Sequence, residues 1–182
     1  MNNFDDSDIK IFGGGSKSGS KSIDVDSAQL FEMQKANGNI ARSQMLGAAL
    51  AERVDGLDIC IDEVCDEVTS NHMRILMIFS MVVGIEEGLP DRILVRTALN
   101  VFYDTLKKEK PQLYDSMSAS GAFTFYYLEY RRGGDKAKRI AKAFAMLCGN
   151  DGDEKLIGAG DALFCGYFDH ARGLIEEMNF VR

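Results

Sequence analysis

Apolar side chains recur every three or four residues along most of the chain after Ile23, which is the spacing of amphipathic helices. Two stripes show it best, one formed by Leu57, Ile61, Val64 and Val68, the other by Leu156, Leu163, Tyr167, Leu174 and Met178. No segment has the apolar–polar alternation of a convincing strand. The pattern therefore predicts an all-α protein.

Glycine, proline and acidic residues divide this pattern into separate helices. Gly38 and Gly56 are typical of helix C-termini, whereas Pro90-Asp91 and Pro111 are typical of helix starts. Glycines that precede Asp135 and Asp153 indicate the end of one helix, and the two aspartates are typical N-caps of the next. These signals predict helices near residues 27–36, 40–54, 57–69, 71–87, 91–109, 112–131, 135–148 and 154–179. Because the links are short, we expect antiparallel neighbours in a compact multi-helix bundle.

The N-terminal residues have a different composition. Residues 13–22 are only glycine, serine and lysine, which cannot bury enough apolar surface to offset the entropy of ordering. We expect a flexible tail over residues 1–22 and a single helical domain over residues 23–182. A phosphate-binding loop does not fit the glycines at Gly14 and Gly19. The motif requires lysine directly after its second glycine, but Ser20 follows Gly19.

Length, composition and charge narrow the class of protein. The 182 residues, 46% hydrophobic and 27% charged, suit one globular domain. A net charge of -7 disfavours general binding to nucleic acid. The N-terminus lacks the features of a secretory signal, and the longest apolar run, residues 75–85, is shorter than the ~20 residues that cross a bilayer. We therefore expect a cytoplasmic protein without a membrane partner.

The cysteines and histidines do not form a metal or catalytic motif. Cys60 and Cys65 lie about 140° apart around a helix, and Cys165 and His170 have the same separation. The loop at Asp151 and Asp153 places Leu147 and Gly149 where calcium ligands belong, so we interpret it as a turn and helix cap. His72 and His170 lie in no recognisable catalytic motif. The sequence predicts reduced thiols, no metal, no cofactor and no catalytic residue.

The densest aromatic segment comprises Phe123, Phe125, Tyr126, Tyr127 and Tyr130. We expect most of these rings to fill the bundle core, with tyrosine hydroxyls at its rim. An alternative is a ligand pocket inside the bundle, lined by Tyr126, Tyr127, Tyr130, Arg131 and His170. Just before it, small residues from Ser116 to Ala122 would allow close approach of another helix, either within the bundle or in a dimer.

Charge is segregated along the chain. Acids crowd the segment from Asp55 to Glu67. Bases surround the predicted helix over residues 135–148, whose other face carries Ile140, Phe144 and Leu147, and the candidate partner-binding residues are Arg132, Lys136, Lys138, Arg139 and Lys142. The simpler interpretation is that the acidic segment and the basic helix are exposed to solvent or face each other within the bundle. Our hypothesis is that the basic helix docks an acidic partner.

Three functions follow from these patterns. The first is a non-enzymatic helical adaptor or regulatory protein that binds a protein partner, either another protein or a second copy of itself. The second is a small-molecule-binding protein or enzyme with a pocket inside the bundle. The third, binding of single-stranded nucleic acid by the aromatic and basic stretch, is disfavoured by the acidic net charge.

Overall fold

The computed structural model describes the backbone of residues 20–54 and 66–181, with side chains from residue 27 onward. The chain divides into two units, residues 1–33 and residues 34–182. The first unit contributes the start of one helix to the described residues. The second contains the helical bundle. The predicted tail lies, up to residue 19, outside the described residues.

Helices are the only regular secondary structure among the described residues, which confirms the predicted all-α class. They are eight within those ranges: α1 (Ser20–Ala36), α2 (Asn39–Arg53), α3 (Glu67–Gly88), α4 (Arg92–Glu109), α5 (Pro111–Ala119), α6 (Ala122–Arg131), α7 (Lys136–Leu147) and α8 (Glu154–Glu177). The main packing partners are α3 with α8, α2 with α4, α7 with α8, and α6 with α7. These contacts form the predicted multi-helix bundle.

Several acidic N-caps lie where the sequence predicts them. The carboxylate of Asp91 accepts hydrogen bonds from the backbone N–H groups of Ile93 and Leu94, at 2.8 and 3.0 Å. Asp135 and Asp153 cap α7 and α8 in the same way. Each carboxylate satisfies backbone donors that have no partner within the first helical turn. The starts of α4, α7 and α8 are thus fixed by local chemistry.

Three predicted helix boundaries are wrong. Helix α1 begins at Ser20 rather than near residue 27, so it includes the last three residues of the predicted tail. The sequence placed a break near Ser70, but α3 begins at Glu67 and continues through it, because Asp66 accepts a hydrogen bond from the Thr69 N–H at 2.7 Å. Most of the helix predicted over residues 57–69 lies outside the described residues, and Val68, assigned to its buried stripe, is 56% exposed. The helix predicted over residues 112–131 is interrupted at Gly121, whose φ of 67° is left-handed.

Helix α3 forms the centre of the bundle. Every residue from Ile75 to Ile85 is buried. By length and composition the whole helix is able to cross a membrane, but 72% of its most apolar window is buried inside the bundle. This burial fits a core helix, as predicted for residues 75–85.

The helices approach one another most closely at glycines. A Cβ atom added at Gly84 in α3 would lie 2.7 Å from the Cβ of Ala171 in α8. One added at Gly160 in α8 would lie 2.9 Å from a ring carbon of Phe144 in α7. Both distances are shorter than van der Waals contact, so these sites have no room for a methyl group. Within the small-residue segment from Ser116 to Ala122, Ala122 is fully buried and the Ser116 hydroxyl donates to Asn71 of α3 at 2.9 Å, whereas nothing lies within 4 Å of a Cβ added at Gly121.

A buried amide holds the C-terminal residues against α2. Asn39, which is fully buried, donates to the carbonyl oxygen of Val181 at 2.7 Å and accepts from its N–H at 3.0 Å. The same side chain donates to Gln34, whose amide donates in turn to Asp91 at 2.7 Å. This network supplies hydrogen bonds to polar groups that would otherwise be buried without partners.

Candidate functional site

Helix α7 is strongly amphipathic, and this property decides which of its bases reach the surface. Ile140, Ala141, Ala143, Phe144 and Ala145 are buried. Lys138 and Lys142 lie four residues apart, one helical turn, and both are exposed. Burial of the apolar face against α8 therefore places two ammonium groups side by side on the outside of the bundle.

A groove of about 510 Å³ runs between α6 and α7. Its apolar part is formed by Phe125 from α6 and by Ala143 and Met146 from α7. Met146 is 53% exposed. In this apolar floor of the groove, Met146 is exposed and Phe125 is half-buried, whereas Ala143 is buried.

The charged wall of the groove consists of four bases and two acids: Glu129, Arg132, Asp135, Lys138, Arg139 and Lys142. Glu129 pairs with both guanidinium groups, at 2.6 Å to Arg132 and 3.7 Å to Arg139. The Asp135 carboxylate is occupied as the N-cap of α7, where it accepts from the Lys138 N–H at 3.1 Å. Two acids therefore leave part of the positive charge unbalanced.

The unbalanced charge belongs to Lys138 and Lys142. Neither ammonium group has a hydrogen-bond or ion-pair partner within residues 27–54 and 66–181. The groove therefore combines apolar floor, two unpaired lysines, and two arginines held by one glutamate. This composition suits a ligand with both apolar and acidic groups.

Lys136 has a different role from the other candidate partner-binding residues. Its ammonium group lies 2.7 Å from a carboxylate oxygen of Glu87 in α3 and 4.2 Å from the centre of the Tyr130 ring. Hydrogen bonding to Glu87 raises the pKa of Lys136. The residue thus connects α7 to α3 and α6, and it is already engaged within the bundle.

The candidate ligand-binding tyrosines pack around one phenylalanine of α3. The ring of Phe79 lies 5.3 Å from that of Tyr126, 5.2 Å from that of Tyr127 and 5.9 Å from that of Tyr130, between centroids. Phe123 and Phe164 also contact it, at 5.5 and 6.5 Å. The predicted packing of these rings in the core is confirmed. The prediction that the hydroxyls reach the rim is wrong for Tyr126 and Tyr130, whose oxygen atoms are buried.

Packing of the tyrosines changes their hydroxyl chemistry. Tyr126 is fully buried, and its hydroxyl has no hydrogen-bond partner among the described residues. Burial, assisted by the negative charge of Glu87, raises the pKa of Tyr130 to about 12. Burial also raises the pKa of Tyr127, whose hydroxyl donates to Glu86 at 2.7 Å. These hydroxyls remain protonated at neutral pH and act as structural groups.

Arg131 and His170 complete the candidate ligand-binding set. The Arg131 guanidinium lies 5.6 Å from the centre of the Tyr127 ring, on the exposed side of α6. His170 is half-buried in α8. No hydrogen bond or ion pair joins either residue to the hydroxyls of Tyr126 or Tyr130 among the residues that the structure describes.

Within the described part of the chain, no hydrogen bond joins His72 or His170 to another side chain. His72 lies six residues into α3, rather than in the first turn of a helix, and burial lowers the pKa of its ring. Cys148 and Cys165 are partly exposed and form no disulfide among the described residues, and burial raises the pKa of Cys165, which disfavours its thiolate. Cys60 and Cys65 lie outside the described residues. Within residues 20–54 and 66–181, no three acids, histidines or cysteines are grouped as metal ligands would be.

The sequence indicates only part of this groove. The bases of α7 were predicted as a surface, but Phe125, Glu129 and Met146 were not assigned to it. The spacing of Glu129 and Arg132, three residues apart on a helix, is a local signal for their ion pair. The pairing of Glu129 with Arg139 depends on how α6 packs on α7. The acidic segment from Asp55 lies, up to residue 65, outside the described residues.

Comparison of the chain with protein-family models, with curated proteins and with solved structures finds no match.

Proposed function

We propose that this protein is a non-enzymatic interaction module that binds a protein partner through the groove between α6 and α7. The observation that carries the proposal is the pair of unpaired lysines, Lys138 and Lys142, beside the exposed Met146. A net charge of -7 already favours solubility, so solubility does not account for unbalanced positive charge at one place on the surface. Apolar floor with a charged rim is the usual composition of a protein-binding surface.

Two residues of the groove take no part in the contacts that hold the bundle together. Lys138 and Lys142 face away from the buried side of α7, and both are exposed. Arg139 differs, because it already contacts Glu129. Reversing the charge at Lys138 and Lys142 therefore changes the groove without breaking an internal ion pair, which makes these two lysines the best positions for a test.

The test is capture of partners from cell extract by the tagged protein, with the variant Lys138→Glu/Lys142→Glu. We expect the variant to fold normally and to lose the partners that the wild type retains at low salt. Because the attraction is electrostatic in part, high salt should weaken capture by the wild type in the same way. If the folded variant retains every partner, the groove is not the binding surface.

A matched control is available on α4. Arg92 and Arg96 are also four residues apart and exposed, and the variant Arg92→Glu/Arg96→Glu changes the net charge by the same amount. This control should retain all partners. Loss of capture in both variants would attribute the binding to overall charge rather than to the groove.

The partner is either another protein or a second copy of the chain. Sedimentation of the wild type and of Lys138→Glu/Lys142→Glu over a range of concentrations separates the two. Self-association that disappears in the lysine variant and persists in the arginine control identifies a second copy as the partner.

A further inference from the structure

The dimensions and charges of the groove between α6 and α7 limit the kind of partner that it accepts. The groove lies between two helices, which is the geometry in which a third helix packs. Lys138 and Lys142 are separated by about 6 Å along α7, at a rise of about 1.5 Å per residue. Two carboxylates four residues apart on a partner helix have the same separation.

The apolar floor adds a second requirement. Phe125, Ala143 and Met146 line the groove next to the lysines. A partner with charge alone would leave Met146 exposed, whereas an apolar side chain on the partner would cover it. Methionine is flexible and polarizable, so it adapts to apolar groups of different shape.

The third feature is the internal acid of the groove. The Glu129 carboxylate lies against Arg132 and Arg139, and the Glu129 side chain is only 13% exposed. In this position it occupies the two guanidinium groups that would otherwise pair with acids of a partner. Glu129 therefore competes with any acidic partner for the same donors.

We infer that the groove between α6 and α7 binds an acidic amphipathic helix, with Glu129 acting as an internal competitor for its carboxylates. The inference rests on the proposed function and specifies the partner's chemistry. An apolar side chain of the helix covers Met146, two of its carboxylates pair with Lys138 and Lys142, and further acids meet arginines that Glu129 partly neutralises.

The experiment is a fluorescence-anisotropy titration of the full chain with a labelled synthetic peptide of about 16 residues, long enough to form a helix. The peptide carries glutamates four residues apart and leucines on the adjacent face. We expect saturable binding to the wild type, and at least a tenfold loss for Lys138→Glu/Lys142→Glu but not for Arg92→Glu/Arg96→Glu. No binding to the wild type would overturn the inference, while partner capture in extract would still support the proposed function.

Three changes of the probe test the class of partner. A peptide with serine in place of leucine removes the apolar contact and should bind at least tenfold more weakly. Single-stranded DNA of similar charge and vesicles of anionic lipid should bind more weakly than the leucine peptide. Equal binding of the serine peptide, the DNA or the vesicles would show a site that reads charge alone, and would overturn the inference.

The variant Glu129→Gln tests the competition. It keeps the size of the side chain and removes the charge, so Arg132 and Arg139 become available to the peptide. We expect roughly two- to fivefold tighter binding, the size of one partly exposed ion pair. If this variant does not fold, Glu129→Asp, which keeps the charge but shortens its reach, should show a smaller gain. Unchanged or weaker binding in a folded variant would contradict the competition.

Discussion

The inner and outer faces of α7 have opposite surroundings. On the inner face, Phe144 is fully buried, and Gly160 of α8 approaches it too closely to allow a methyl group. On the outer face, Met146 is 53% exposed, and Lys138 and Lys142 have no partner among the described residues. One helix of 12 residues therefore carries a filled interface and an open one. The difference indicates which face stabilises the fold and which is available for binding.

Truncation of Phe144 should produce the largest effect on the inner face. The variant Phe144→Ala removes a fully buried ring that packs on α8, and it leaves a cavity. We expect a loss of about 3–5 kcal/mol in the free energy of unfolding. Equilibrium denaturation with urea measures it. A loss below about 1 kcal/mol would mean that the interface between α7 and α8 is not closely packed.

Enlargement of Gly160 tests the same interface from the side of α8. The variant Gly160→Ala places a methyl group against Phe144 and should destabilise the protein by about 1–3 kcal/mol. Gly166 lies in the same helix with nothing within 4 Å of an added Cβ. Gly166→Ala should therefore stabilise the protein by about 0.5–1 kcal/mol, because alanine favours the helix. Thermal unfolding of both variants measures these changes. Unfolding temperatures that shift in the same direction for Gly160→Ala and Gly166→Ala would contradict the predicted close contact.

Lys136, one helical turn before the buried Ile140, forms an ion pair with Glu87 of α3, and the effect of this pair should be smaller. Burial raises the pKa of Glu87, but the combined effects of Lys136, Tyr130 and Arg172 outweigh it and bring the net pKa below the usual value. A carboxylate with a lowered pKa stabilises the fold above its unfolded pKa, and this contribution is lost as the pH falls. Glu87→Gln should cost a few tenths of a kcal/mol at neutral pH, since both side chains are 40% or more exposed. The difference in the free energy of unfolding between the wild type and Glu87→Gln should disappear in acid. A difference that grows as the pH falls would contradict the lowered pKa of Glu87.

Charge reversal on the outer face should leave the stability close to that of the wild type. Lys138→Glu/Lys142→Glu removes no internal contact of either ammonium group, so we expect a change within about 0.5 kcal/mol. Urea denaturation beside Arg92→Glu/Arg96→Glu provides the comparison. A loss above about 1 kcal/mol that is specific to the lysine variant would make this face part of the stabilising structure.

Local chemistry explains which parts of this fold the sequence predicts. The caps at Asp91, Asp135 and Asp153 depend on neighbours within three residues, so their positions can be predicted from the sequence. Asp66 was missed as a cap because Thr69, Ser70 and Asn71 include residue types that also favour helix N-caps. The break at Gly121 was missed because serine, glycine and alanine in succession are compatible both with a helix and with a turn.

The site is less predictable for the same reason. The amphipathic pattern of α7 places Lys138 and Lys142 outside, since their exposure follows from the burial of Ile140 and Phe144. Whether Arg139 is available depends on Glu129, which belongs to another helix. The same holds for Phe125 beside Met146, and for the close approach of α8 at Gly160. Such contacts depend on how the helices pack, which periodicity does not specify.

Methyl NMR of the protein during titration with the acidic leucine peptide tests the central claim most directly. Met146 is exposed in the groove, Met45 in α2 is 64% exposed outside it, and Met77 in α3 is fully buried. We predict that the methyl signal of Met146 shifts with saturable binding, while those of Met45 and Met77 remain unchanged, and that Lys138→Glu/Lys142→Glu abolishes the shift. A shift of Met45 without one of Met146 would place the binding surface elsewhere and contradict the account.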